Sequence, residues 1–200
     1  MTMFVALEGI DGCGKSTVVE GLRRMLGEDR YVFLSDPGST AFGAALRGIL
    51  KDRKVPLCAN AQLAAFTAAR AQMVDEVIGP ALEKGLNVVC DRYLLSTYAY
   101  QEVWPRVLLD LNDEFCHGIL PDVNVIIEVN VDEAMARTSI RTGGDRFDGD
   151  RSVMERVAGR YRSKFCPMFG KVVYVDGCKD RQEVLNDVAG VIVNSCGGVQ

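Results

Sequence analysis

One stretch near the start of the chain has the residue types and spacing that chemistry on phosphates requires. It follows the pattern GxxxxGKS from Gly9 to Ser16. The glycines allow the backbone to curl so that successive N–H groups point inward, and a helix that begins near Lys15 adds the positive end of its dipole. In such loops the lysine reaches the β- and γ-phosphates, and the adjacent hydroxyl ligates Mg²⁺. The predicted ATP-binding residues are Gly9, Ile10, Asp11, Gly12, Cys13, Gly14, Lys15, Ser16 and Thr17.

A second group of candidate residues follows the apolar run 88–90. Asp91 ends that run, where a carboxylate can hold Mg²⁺ through water, and Arg92 would project into the same cleft. A motor ATPase more often carries Asp-Glu here, whereas an arginine suits an anionic acceptor that must be held and neutralised. The sequence lacks the Asn-Lys-x-Asp pattern of guanine recognition, which counts against a GTPase. These observations favour a phosphoryl-transfer site over a simple ion pair at a strand end.

Short apolar runs alternate with longer helical patterns, and together they must position these residues. Runs of strand length occupy residues 4–7, 31–34, 87–90, 123–129 and 172–175. Helical periodicity occupies residues 15–26, 41–50, 61–78, 94–116, 132–140, 153–165 and 181–193. This alternation predicts an α/β fold, a five-stranded parallel sheet with helices on both faces. Ligands of such sheets bind at the carboxyl ends of the strands, where both candidate groups lie.

Length and composition narrow the class of protein. The chain has 200 residues without repeats or linkers, so we expect one domain, with a mobile loop or short lid at about 141–150. A net charge of −4 makes nucleic acid a poor partner. The single histidine, His117, argues against His-rich zinc sites and Ser-His-Asp chemistry.

The cysteines and the apolar segments indicate the compartment. Seven cysteines, odd in number and without a CxxC pair, are typical of reduced thiols. The N-terminal apolar stretch is too short for a signal peptide, and no run of about 18 apolar residues could span a membrane. We therefore expect a cytoplasmic protein without a membrane partner.

Residues 91–101, DRYLLSTYAYQ, resemble the DRYxxSSxAYQ signature of thymidylate kinases. Other motifs of this family follow in order between residues 4 and 165. They are EGIDGCGKST at 8–17, DPGST at 36–40, FTAAR at 66–70, PD at 121–122 and DRFD at 145–148. The resemblance implies a P-loop NTPase fold and transfer of the γ-phosphoryl group of ATP to dTMP with Mg²⁺, a step of dTTP biosynthesis. It also implies a homodimer formed through helices, which the alanine-rich stretch 61–73 would permit.

The resemblance implies an acceptor-base site on two helices. Phe66 would stack on thymine and Arg70 would hydrogen-bond a base carbonyl, and the two are i,i+4 neighbours on one helical face. Thr97 and Gln101 match positions that contact the base. Tyr100 matches the tyrosine that crowds the 2′ position of the sugar and so favours deoxyribose.

The resemblance also implies how the acceptor phosphate is held. Arg47 and Arg92 match the arginines that bind it, and Asp11 matches the carboxylate that approaches the 3′-hydroxyl. The metal ligands would be Ser16 and Asp91. The catalytic set would comprise Lys15, Arg92, Arg141 and Arg146.

The arginine that neutralises the transferred phosphoryl group must come from outside the phosphate loop. Some family members carry it within the loop, but the corresponding residue here is Gly12. Members with glycine there resemble the bacterial subtype, which uses a lid arginine. The candidates are Arg141 and Arg146, with Arg137 one helical turn earlier; Arg141 is favoured because it lies four residues before Asp145, as in that subtype. The alternative is that each of these arginines is only a solvated charge on the lid surface.

Departures from the family pattern leave the exact pyrimidine open. Asp36 replaces a glutamate, Ser35 an arginine and Ser39 a glycine, and Trp104, which we expect to pack, lies where a glycine-rich continuation is usual. One alternative is therefore a kinase of the same fold for another deoxynucleoside monophosphate, such as a modified dUMP. Another is a non-catalytic nucleotide-binding module, which would bind ATP without turnover.

Overall fold

The computed structural model describes residues 2–139 and 150–197. Its strands are β1 (Phe4–Glu8), β2 (Tyr31–Ser35), β3 (Asn87–Asp91), β4 (Val123–Glu128) and β5 (Lys171–Asp176). They form one parallel sheet in the order β2-β3-β1-β4-β5, as the alternation of apolar runs and helical patterns predicts. All five residues of β1 are buried, so both faces of the sheet are covered at its centre.

Helices connect the strands and cover the sheet. They are α1 (Lys15–Leu26), α2 (Ala41–Lys51), α3 (Ala59–Met73), α4 (Gly79–Glu83), α5 (Leu94–Gln101), α6 (Pro105–Phe115), α7 (Val131–Ser139), α8 (Arg151–Tyr161) and α9 (Arg181–Gly197). A π-helical turn spans Val74–Ile78 and a 3₁₀ turn spans Cys166–Phe169. In the part of the chain that the structure describes, no helix combines the length and the apolar character needed to cross a lipid bilayer.

Two predicted helices are interrupted, and a proline lies at each interruption. The helix predicted over 94–116 is wrong as a single element, because Glu102 adopts a left-handed backbone (φ 56°) and α6 begins anew at Pro105. A proline ring clashes with the preceding helical turn, so it fits the start of a helix better than its interior. The helix predicted over 61–78 widens into the π-helical turn just before Pro80, which has no N–H for the regular bond.

The strand register gathers the chemistry-bearing residues at one edge of the sheet. Leu7 of β1 lies opposite Asp91 of β3, and Ser35 of β2 lies opposite the same aspartate. On the other side, Glu8 lies opposite Ile126 of β4. The phosphate loop, the loop after β2 and Arg92 therefore emerge side by side. Helix α3 packs against α2, α5 and α6, and so lies next to this edge.

Candidate active site

A cleft of about 640 Å³ opens at the carboxyl ends of β1, β2 and β3. Residues from α2, α3, α5 and the phosphate loop line it. The structure places all the predicted acceptor-binding residues on its walls, namely Asp11, Arg47, Phe66, Arg70, Arg92, Thr97, Tyr100 and Gln101. The cleft joins the phosphate loop, through Asp11, to an aromatic and cationic wall.

The phosphate loop curls around its own lysine. Lys15 is only 6% exposed, and its ammonium donates to the carbonyls of Gly9 (2.9 Å) and Ile10 (3.0 Å). Gly9 and Gly12 have positive φ values, and a Cβ on Gly9 would lie 2.7 Å from the carbonyl oxygen of Ile127. The sequence thus forms a tight loop that only glycine permits at these positions, with a cation held inside it.

Asp91 and Ser16 lie together where the metal was predicted. The Ser16 hydroxyl is 3.4 Å from Oδ2 of Asp91, while Oδ1 of Asp91 is buried and makes no hydrogen bond within the described residues. The Ser16 hydroxyl and the Asp91 carboxylate, one of whose oxygens is buried without a hydrogen bond, fit Mg²⁺, which binds through few protein oxygens and keeps waters and phosphate oxygens. The residues that the structure describes contain no cluster of three or more His, Cys, Asp or Glu able to bind a metal.

Arg92 lies in a polar cage between the phosphate loop and α5. Its Nη2 donates to Asp11 Oδ1 (2.6 Å) and to the Tyr100 hydroxyl (3.2 Å), and that hydroxyl donates to Asp11 Oδ2 (2.8 Å). Its Nη1 donates to the Gly9 carbonyl and to the Ser96 hydroxyl, both at 3.1 Å. Burial alone would raise the pKa of Asp11, but the charges of Arg92 and Lys15 outweigh it and hold that pKa below its ordinary value. Asp11 is thus the counter-ion of Arg92.

Arg70 is almost completely buried, and its guanidinium is held on two sides. Nε donates to Asp36 Oδ2 (2.7 Å), Nη2 donates to the Thr97 hydroxyl (2.6 Å), and the guanidinium lies over the Tyr93 ring at 5.1 Å. Both Arg70 and Phe66 line the cleft, as expected of i,i+4 neighbours. Asp36, a departure from the family pattern, is therefore the ion-pair partner of Arg70.

Arg47 reaches the cleft from α2. Its Nη1 donates to the Pro37 carbonyl at 2.7 Å, which ties α2 to the loop after β2. Ser39, another departure, closes this loop because its hydroxyl accepts from the backbone N–H of Ser35 at 2.7 Å. The structure therefore brings Arg47 and Arg92 to one cleft from different elements.

Three residues at the site, Glu8, Ser96 and Tyr161, were not among those predicted from the sequence. Glu8 is fully buried and accepts hydrogen bonds from the Tyr161 hydroxyl (2.9 Å) and from the Ser96 hydroxyl. Burial raises the pKa of Glu8, against the hydrogen bond from Ser96 and the charge of Arg92. A carboxylate at the end of an apolar strand could have indicated Glu8, but nothing local indicates Tyr161, which lies 153 residues away.

The predicted lid arginines, Arg141 and Arg146, lie outside the described residues. Arg137 lies within the described residues. It forms an ion pair with Glu133 and donates to the carbonyls of Gly177 (3.1 Å) and Gly12 (3.5 Å). A Cβ on Gly12 would overlap the carbonyl oxygen of Ala134, so α7 packs directly against the tip of the phosphate loop. The loop has no room there for the arginine that some family members carry.

The expectation that Trp104 packs into the fold is wrong for most of its surface. The residue is 73% exposed, and its ring meets the edge of Phe165 at a centroid distance of 6.5 Å. It immediately precedes Pro105, the first residue of α6.

Comparison with known proteins agrees with this geometry. A family model described as thymidylate kinase matches residues 7–188. A thymidylate kinase from Fervidobacterium nodosum is 35% identical over 196 residues, which cover 94% of this chain and 98% of that protein. One from Neisseria meningitidis serogroup B is 33% identical over 94% of this chain and 95% of its own length. One from Thermoanaerobacter sp. (strain X514) is 32% identical over 94% of this chain and 96% of its own length. The loop, the cleft and these matches along almost the whole chain lead to one conclusion: the chain belongs to the thymidylate kinase family.

Proposed function

We propose that the chain transfers the γ-phosphoryl group of ATP to dTMP, giving ADP and dTDP. The observation that carries this proposal is the single cleft that joins the phosphate loop at Asp11 to a wall containing Phe66 and Arg70. Such a cleft can hold a nucleoside monophosphate with its phosphate toward the loop and its base toward the aromatic ring. The family membership and the names of the relatives support the same substrate.

On the donor side, the proposal assigns the phosphates of ATP to the loop of residues 9–16. Lys15 would exchange the carbonyls of Gly9 and Ile10 for phosphate oxygens, which keeps its charge compensated in a buried position. Ser16 and Asp91 would hold Mg²⁺, which neutralises developing negative charge when bound. Thr17, the residue after Ser16, would be a further contact to ATP.

On the acceptor side, Arg92 and Arg47 would bind the phosphate of dTMP. That phosphate would take the place of Asp11 on Arg92 and release the carboxylate toward the sugar. Phe66 would stack on the base, while Arg70, held by Asp36 and Thr97, would donate to a base carbonyl. Tyr100 would crowd the 2′ position, and Gln101 would lie beside the base.

The proposal takes the remaining positive charge from the segment after α7. Arg141 is the favoured residue and Arg146 the alternative, because Gly12 leaves the loop without a side chain for this role. An arginine that arrives after both nucleotides are bound would also exclude water and so suppress ATP hydrolysis.

A panel of acceptors tests the proposed substrate. Formation of ADP is measured with dTMP, dUMP, dCMP and dGMP under identical conditions, with an enzyme-coupled assay. We expect the highest kcat/KM for dTMP, because the Arg70 donor and the Phe66 ring fit a pyrimidine with a carbonyl, and the 5-methyl group that distinguishes dTMP from dUMP adds apolar area to bury. A higher kcat/KM for any other acceptor would refute dTMP as the substrate. ATP binding without turnover on any acceptor would instead indicate the non-catalytic module.

We also propose that the chain forms a homodimer through α2, α3 and α6. These neighbouring helices carry the exposed apolar side chains Phe42, Ile49, Val107 and Phe115, while the outer face of α3 presents the small residues Ala64 and Ala68. Small residues allow two helices to approach closely, and exposed apolar area favours association. Sedimentation should give twice the chain mass, and Ala64→Arg should shift the species to one chain mass. A single-chain mass for the unaltered protein at micromolar concentration would contradict the dimer.

For the location of the protein we propose the cytoplasm. Cys13, Cys58, Cys90, Cys116, Cys166 and Cys178 are free thiols in the described part of the chain. Thiols of this kind persist in reducing compartments.

A further inference from the structure

Glu8, the last residue of β1, lies beneath the active site and outside the lining of the cleft. Its carboxylate is fully buried, and both oxygens accept hydrogen bonds. Oε1 accepts from the backbone N–H groups of Tyr93 (2.9 Å) and Ser96 (3.2 Å). Oε2 accepts from the hydroxyls of Tyr161 (2.9 Å) and Ser96. The carboxylate thus connects β1 to the first turn of α5 and to the end of α8.

The direction of these hydrogen bonds matters for Arg92. Above its raised pKa the carboxylate of Glu8 is ionised and can only accept, so the hydroxyls of Ser96 and Tyr161 then point their protons at Glu8. Their lone pairs are then available to Arg92, whose Nη1 lies 3.1 Å from the Ser96 oxygen and 3.5 Å from the Tyr161 oxygen. The remaining acceptor of this nitrogen is the carbonyl of Gly9, the residue that follows Glu8 (3.1 Å).

We propose that Glu8 is a positioning residue for the acceptor phosphate: through the hydroxyls of Ser96 and Tyr161 it orients the guanidinium of Arg92. The inference rests on the role proposed above for Arg92. It accounts for a buried carboxylate, which is costly to keep ionised. A glutamine would satisfy the backbone donors at Oε1, but its amide would donate to the two hydroxyls and turn their protons toward Arg92.

The proposal predicts a specific pattern of dTMP affinities, measured by titration calorimetry. Glu8→Gln should raise the Kd of dTMP about tenfold or more, the size of one hydrogen bond to a charged group. Tyr161→Phe should raise it at least about threefold, as expected for a weaker bond of this kind. The Kd of ATP should stay within about twofold in both variants, because the loop carbonyls and Lys15 are untouched.

Tyr98→Phe is the matched control for Tyr161→Phe. The Tyr98 hydroxyl lies 2.8 Å from the Ser163 hydroxyl, so this change also removes one tyrosine hydrogen bond between α5 and the chain around α8. A structural loss alone would lower Tm similarly in the two variants and leave their dTMP affinities equal. Equal dTMP affinities in the two tyrosine variants would overturn the proposal, even if Glu8→Gln failed to fold.

A double-mutant cycle with Arg92 separates this inference from the proposed function. Arg92→Ala alone should weaken dTMP binding, and adding Glu8→Gln should then change the Kd by less than about twofold, because Glu8 acts through Arg92. If Arg92→Ala binds dTMP normally, the proposed role of Arg92 and this inference both fail. If Arg92→Ala weakens binding but Glu8→Gln does not, or if the two effects add, only the inference fails.

Discussion

The guanidinium of Arg92 stands between Asp11 and the hydroxyls of α5, on a residue whose own backbone is left-handed (φ 72°). A non-glycine residue in that conformation costs on the order of 1 kcal/mol. The bonds to Asp11, Gly9 and Ser96 offset this cost and direct the side chain across the mouth of the phosphate loop. The conformation is therefore part of how the chain places a cation where an acceptor phosphate would lie.

At the residue scale, Phe66 provides the most direct test of base recognition. Phe66→Ala should raise the KM of dTMP about tenfold or more, because stacking of one base on an aromatic ring contributes on the order of 1–3 kcal/mol. The KM of ATP should change little. The control is Leu63→Ala on the same helix, a partly buried residue that does not line the cleft. Steady-state kinetics with each nucleotide varied in turn would reveal a merely structural role as equal changes in both KM values.

At this scale the sequence predicted the residues of the cleft but not the groups that hold them. Phe66 and Arg70 lie in a local pattern, FTAAR at 66–70, whereas Arg47 was predicted from its match to the helix arginine of the family. Asp36 as the partner of Arg70, and Glu8 beneath Arg92, depend on contacts between distant elements. Asp36 and Arg70 are 34 residues apart, and Glu8 and its partner Tyr161 are 153 residues apart. Local spacing in the sequence cannot indicate contacts over such separations.

At the scale of elements, the contact between the phosphate loop and α7 depends on the absence of a side chain at Gly12. Gly12 (φ 83°) lies against the carbonyl of Ala134, and a Cβ there would also lie 3.0 Å from Cγ2 of Thr138. We expect Gly12→Ala to lower the free energy of unfolding by about 2 kcal/mol or more, since it combines backbone strain with overlap. Gly27→Ala is the matched control: φ is 73°, and a Cβ there meets nothing within 4 Å. Equal losses in denaturant titrations of the two variants would contradict direct packing of α7 on the loop.

The segment after α7 carries the proposed catalytic arginine. Arg141→Ala should lower kcat at least about 100-fold with the Kd of dTMP little changed, because an arginine that acts chiefly in the transition state contributes on the order of 10³-fold or more. Arg146→Ala should be less damaging. Steady-state kinetics of both variants, with dTMP binding measured separately, distinguish the outcomes. A larger effect at Arg146 would move the role to that residue, and normal kcat in both would refute a lid arginine.

The strands were predictable as elements, whereas the helix interruptions were not recognised. Each strand contains a predominantly apolar run, which burial on both faces demands of the central strand β1. The break at Glu102 leaves the apolar pattern intact on both sides, so periodicity alone joins α5 to α6. Pro105 was the available local signal.

At the scale of the whole molecule, the sheet order places Glu8 at the centre of the active-site edge. Because β1 lies between β3 and β4, the carboxylate at its end is buried from both sides. This position raises the pKa of Glu8 above its ordinary value of 4.5. The fold class followed from the pattern of elements, but such a buried charge at the centre could be seen only in three dimensions.

The raised pKa of Glu8 predicts how stability depends on pH. Above pH 4.5 and up to the raised value, the folded protein keeps a proton that the unfolded chain has lost, so this group makes the free energy of unfolding fall as pH rises. The glutamine of Glu8→Gln does not titrate, so this contribution to the pH dependence is absent from the variant. The Tm of Glu8→Gln minus that of the unaltered protein should therefore increase as the pH rises from 4.5 through the raised pKa of Glu8. Titration of Asp11, whose pKa is shifted the other way, is common to both proteins and cancels. If the Tm values of the two proteins changed in parallel across this pH range, the raised pKa of Glu8 would be contradicted.

Transfer of a phosphoryl group from ATP to dTMP can be observed by ³¹P NMR of the two nucleotides mixed with the protein and Mg²⁺. We predict that the signals of dTDP and ADP grow at equal rates, that inorganic phosphate does not accumulate, and that Lys15→Ala, folded by its melting curve, produces neither nucleotide. ADP and inorganic phosphate without dTDP would contradict transfer to dTMP, and unchanged dTDP formation by the lysine variant would contradict the role of Lys15.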